Sequence, residues 1–96
     1  MNHYTSDIVE NMIRNYYTLQ DTELTEYVSL QMDLNKGLDR LREEDYDTYK
    51  TIMGVFAFGN SIQAQAKLDN ITKMQVHRRL SSGLWFVTLV MNGVFL

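Results

Sequence analysis

Apolar residues recur along this chain at three- and four-residue intervals, and the pattern reads as successive helices. Ile8, Met12, Tyr16 and Leu19 share one face, with Val9 and Ile13 widening it, and a first helix is expected to start at Ser6 or Asp7, where Asp7 with Glu10 three residues on makes a capping arrangement. Asp21 or Thr22 can cap a second helix carrying Leu24, Tyr27, Val28, Leu34, Leu38 and Leu41. Gly37 interrupts it; a glycine inside a helix costs about 1 kcal/mol against alanine, so a kink or split is expected there. The acids Glu43, Glu44 and Asp45 suit the positive N-terminal end of a third helix. Its apolar positions are Tyr46, Tyr49, Ile52, Met53 and Phe56, and Gly59 is its natural stop.

From Asn60 onward the pattern changes. Ser61 caps a short helix, Ile62 to Leu68, and Asp69-Asn70 makes a tight turn, since asparagine tolerates a left-handed backbone. Ile71 follows, and Thr72 caps a last helix through Val76, Leu80, Leu84 and Val87 towards Met91. Two helices joined by about three turn residues have the layout of a helix-turn-helix. In that layout Ala66 is the small residue that lets the helices cross, Asn70 makes the turn, and Ile71 and Val76 pin the second helix to the body. The candidate DNA-binding residues are Thr72, Lys73, Gln75, His77, Arg78 and Arg79. Arginine and lysine reach guanine acceptors or phosphate, glutamine can pair bidentately with adenine, and a helix start can offer backbone N–H groups to a phosphate.

The run Ala66-Lys67-Leu68-Asp69-Asn70-Ile71-Thr72, followed by Val76-His77-Arg78-Arg79-Leu80-Ser81-Ser82-Gly83, resembles the C-terminal helix-turn-helix of bacterial sigma factors. It is similar also to the phage transcriptional regulators of the ArpU and RinA types, which place acidic, leucine-rich helices before the motif as Leu34 to Asp47 does here. The resemblance implies DNA binding in the control of transcription, with Lys73, Gln75, His77 and Arg78 on the positions that face DNA. The chain departs from that family at Asp69, where leucine is common. It departs again in carrying Leu84-Trp85-Phe86-Val87 where basic residues usually follow the recognition helix.

Charge sharpens this picture. Residues 1–48 carry eleven acids against four bases, a net −7, while residues 49–96 carry five bases against one acid, a net +4. Only the second half is therefore expected to meet a polyanion. The competing class is a helical protein-interaction module that keeps the helix-turn-helix shape. Such a module would use its acidic half and apolar tail on a protein partner, its acids mimicking DNA towards a host target; separately, the two oppositely charged halves can attract each other, within the chain or between subunits.

With 96 residues, 45% of them hydrophobic, the chain is long enough for one domain with a core of its own. The absence of cysteine rules out disulfides and thiolate metal sites and suits a reducing cytoplasm, which the resemblance to phage regulators implies is that of a bacterial host cell. The start of the chain does not read as a signal peptide, and no apolar run reaches a membrane span, so no membrane partner is expected. His3 and His77 are far apart, and Glu43, Glu44, Asp45 and Asp47 lack EF-hand spacing, so neither a metal nor another cofactor is expected. Ser61, Ser81 and Ser82 have no partnering base nearby and there is no glycine-rich phosphate loop, so an enzyme is not expected either.

The segment 84–96 is apolar nearly all round, and such a helix must be buried all round. Trp85, Phe86, Leu89 and Val90 are accordingly candidates for a homodimer interface. The expected architecture is all-α, a compact bundle of about five helices: an acidic portion over 1–59, the helix-turn-helix over 61–83, and the apolar helix over 84–96. Its expected partners are duplex DNA, RNA polymerase and a second copy of the chain.

Overall fold

The computed structural model describes residues 3–21 and 25–94. Among the described residues six α-helices follow one another: α1 (Ser6–Arg14), α2 (Tyr16–Gln20), α3 (Thr25–Glu44), α4 (Tyr46–Ile52), α5 (Ile62–Asp69) and α6 (Lys73–Met91). One π-helical turn, Met53–Ala57, continues α4. No strand occurs among the described residues, so the fold is all-α as the periodicity predicts. Thr22 and Leu24, singled out above, and the last two residues of the apolar segment, 95–96, lie outside the described residues.

Local chemistry sets most helix ends. Thr5, rather than Asp7, caps α1, its side chain accepting from the Ile8 N–H at 3.3 Å. Glu10 reaches forward to pair with Arg14 at 3.0 Å instead of back to the cap. The expected single helix through Leu19 is divided at Asn15, whose amide donates to the Asn11 carbonyl at 2.7 Å and closes α1. Of the three acids expected to open the next helix start, only Asp45 does so: it accepts from the Thr48 N–H at 3.1 Å and the Thr48 hydroxyl at 2.7 Å. Glu43 and Glu44 instead finish α3, where Glu44 is held by Arg40 at 3.3 Å. Gly59, at φ +78°, ends the π turn as a left-handed residue.

α6 is the centre of the molecule, packing on α3, α4, α5 and α1. Val76, Leu80, Leu84, Val87 and Met91 recur on its inner face and are buried against Leu34, Leu38 and Leu41 of α3, Ile52 of α4, and Val9 and Ile13 of α1. Burying each such side chain contributes about 1.5–3 kcal/mol, which makes this inner face the main stabilising element. Tyr27 and Val28, expected on the apolar face of α3, are exposed instead; the inward face is made by Leu34, Leu38 and Leu41, with Leu30 packed partly against the core.

Gly37 neither kinks nor splits α3, which runs unbroken past it. A Cβ there would lie 2.9 Å from Val87 Cγ1 and 3.2 Å from the Val87 carbonyl oxygen, so the glycine is the point of closest approach to α6. At the far end Asn92 ties the two ends of the chain together. Its side chain accepts from the Tyr4 N–H at 2.8 Å and donates to the Tyr4 carbonyl at 2.9 Å.

Candidate nucleic-acid interface

The turn between α5 and α6 is built by three local devices. The Ser61 side chain accepts from the Ala64 N–H at 3.1 Å and starts α5. Asn70 closes it with φ 57° and ψ 48°, the left-handed conformation that asparagine tolerates best after glycine. Thr72 then starts α6 through a reciprocal capping box: its hydroxyl accepts from the Gln75 N–H at 3.1 Å, while Gln75 Oε1 accepts from the Thr72 N–H at 2.9 Å. Ala66 is buried, Ile71 packs against the core and Val76 is fully buried, so the residues expected to hold the two helices together do so.

With Val76 inward, the opposite side of α6 faces solvent. Lys73, Met74, His77, Arg78, Ser81, Ser82 and Trp85 are all exposed there, at successive three- and four-residue steps. No other described residue gives Lys73, His77 or Arg78 an ion pair. No acid follows Asp69 in the sequence, so α6 contains cations and no carboxylate. Lys73 occupies the first turn with no acid beside it. A cation near the positive end of a helix dipole is mildly unfavourable for folding and favourable for meeting an anion.

The remaining expected site residues have other partners. Gln75 is exposed, but its carbonyl is committed to the cap of its own helix. Arg79 turns away from the exposed stripe: Nη1 donates to Thr51 Oγ1 at 3.2 Å and stands 3.9 Å from Asp69 Oδ2, with a quarter of the side chain exposed. Asp69 is the hub of this network. Its carboxylate is buried and accepts from the Thr51 hydroxyl at 2.6 Å and from Gln65 Nε2 at 3.0 Å. Gln65 in turn accepts from Asn60 Nδ2 at 3.0 Å. A single buried carboxylate thus joins α4, α5 and α6 behind the turn. Leu68 stands exposed.

The apolar segment after Gly83 is no separate helix but the second half of α6. Its own core covers most of it. Val90 is buried, Leu89 is partly buried and Phe86 packs against the core, so of the four candidate interface residues only Trp85, 61% exposed, stands largely in solvent. No helix among the described residues is long and apolar enough to cross a membrane. No known protein family, curated protein or solved structure matches this chain.

Proposed function

We propose that this protein binds duplex DNA by laying the first half of α6 in the major groove, and so regulates transcription. The observation that carries the reading is the exposed face Lys73–His77–Arg78. It is cationic, free of carboxylates and set at the N-terminal end of a helix pinned by a short left-handed turn. Lys73 and Thr72 would meet phosphates at the helix start, Arg78 and His77 would reach base edges, and Ser81 would extend the contact by a turn. RNA polymerase is the protein partner that the sigma-factor resemblance suggests for such a regulator.

Selection on random duplex DNA, followed by titration at several salt concentrations, tests this. Lys73→Ala is expected to reduce the salt slope by about one unit, and Arg78→Ala to cost about 1–3 kcal/mol if it reads a base, both with unchanged melting temperatures. Parental DNA affinity in both variants would remove the groove assignment.

A second reading rests on Met74 and Trp85, exposed at 64% and 61% at the two ends of the same stripe. A protein docked there would use them as anchors. It would bind with little salt dependence, whereas phosphate contacts give a steep one.

A further inference from the structure

A concavity lies away from the exposed face of α6, between α2, α4, the π-helical turn and α5. Its volume, about 620 Å³, is within the range of small-molecule sites. Two aromatic pairs line it: Tyr17 with Phe58, ring centres 5.9 Å apart, and Tyr46 stacked on Tyr49 at 6.2 Å. Tyr17, Tyr46 and Phe58 are each more than half exposed although the core is complete without them. Large aromatic rings gathered in one open cleft mark a binding surface rather than a folding requirement. The π turn points the same way, since such single turns inside helices are rare and frequent at functional sites.

The polar lining is specific. Asp69 borders the groove with a carboxylate only 7% exposed. Its contacts with Thr51, Gln65 and Arg79 all fall on Oδ2, and Oδ1 has no hydrogen-bond partner among the described residues. No buried side-chain polar atom among the described residues lacks a partner, so Oδ1 reaches solvent at the groove wall and is open to a ligand N–H. Lys50 also lines the groove, held only by a 3.9 Å surface contact with Asp47 and lying 5.5 Å from the centre of the Tyr46 ring. It disfavours a cationic ligand and suits an anionic group. Burial, with Tyr16 beside it, pushes the Tyr49 hydroxyl above its ordinary value of 10.0 against the opposing pull of Arg42, so it stays protonated and able to donate at neutral pH.

From this juxtaposition of stacking rings, an unpartnered acceptor and a lysine, we infer that the groove is a binding site for an aminopurine nucleotide. The base stacks on the tyrosines and Phe58, its exocyclic amine donates to Asp69 Oδ1, and the phosphate meets Lys50. The site does not depend on the DNA-binding reading, because none of its residues lies on the exposed face of α6.

The test is calorimetric titration of the intact chain with adenosine monophosphate, adenosine, and the purine ribotide that lacks the amino group. Saturable binding of adenosine monophosphate is expected below about millimolar concentration. Tyr46→Ala and Phe58→Ala, both at exposed rings, should each weaken it about tenfold or more. The analogue without the amine should bind about tenfold more weakly, because Oδ1 is left without a donor. Removing the phosphate should weaken binding to the parent but not to Lys50→Ala. Absence of saturable binding, equal binding of the amine-free analogue, or indifference to both aromatic variants would each overturn the site.

Discussion

Arg78 and Arg79 are neighbours in sequence and have opposite tasks. Arg78 stands in solvent on the outer stripe, while Arg79 closes a buried network with Thr51 and Asp69. Asp69 is therefore structural: the chain buries its carboxylate behind the turn with hydroxyl, amide and guanidinium partners. Such a group is stabilising only while its partners remain, because each one stranded by a deletion loses its compensation. Asp69→Ala is expected to cost about 2–4 kcal/mol, a smaller loss than for a fully buried pair because Arg79 retains partial access to water. Arg79→Ala should lower the melting temperature and leave the salt slope of DNA binding unchanged, the reverse of the pattern expected for Lys73→Ala. Equilibrium denaturation and DNA titration of the two single variants measure both quantities. An Arg79→Ala protein with parental stability and a reduced slope would put that arginine on DNA after all.

Elements were legible in the sequence where their signals are local. Ser61, Asn70 and Thr72 each act on the backbone within three residues, so the boundaries of α5 and the start of α6 follow from residue type alone. The Thr72-x-x-Gln75 spacing is a capping-box signature, and reading it as such would have shown that Gln75 folds back on its own helix. The exposure of Lys73, His77 and Arg78 follows from helical period once Val76 is placed inward. Arg79 was not legible, because its partners come from two other helices. Nor was the breadth of the aromatic groove, whose walls are contributed by segments far apart in sequence. Gly37 is the clearest such case. By propensity it weakens α3, and alanine there would stabilise the helix by about 1 kcal/mol. By packing it is where α3 meets α6, and the added methyl would press on both the side chain and the backbone carbonyl of Val87. Backbone cannot yield as a side-chain tip can, so overpacking should win, with a net loss of about 1–3 kcal/mol in Gly37→Ala. Chemical denaturation decides between the two, and a stabilised variant would mean that the α3–α6 contact relaxes freely.

At the scale of the whole molecule, the charge asymmetry has a definite geometry. Asp39, Glu43, Glu44 and Asp47 are exposed around the α3–α4 junction, whereas the outer face of α6 carries cations alone. A polyanion approaching this dipolar body is steered towards α6 and repelled from the acidic junction. Trp85 reports on where it lands. It is the single tryptophan, lies on the same stripe as Arg78 two turns further on, and is separated from Lys73 by about 18 Å of helix. A DNA duplex seated on Lys73, His77 and Arg78 therefore reaches towards the indole, whereas a second copy of the chain docked on Trp85 would cover part of the same stripe. DNA binding and self-association through this residue are thus alternatives, not cooperating events. The expected behaviour of the free protein is a long-wavelength indole emission, ready quenching by acrylamide, and a mass that does not change with concentration. Added duplex should protect Trp85 from the quencher, with the protection lost as salt rises, because the proposed binding mode relies on contacts to phosphates. Trp85→Ala should change stability by no more than about 0.5 kcal/mol, as for other exposed positions. Protection that grows with protein concentration in the absence of DNA, and is reversed when duplex is added, would instead establish α6 as a surface shared between a second copy and DNA.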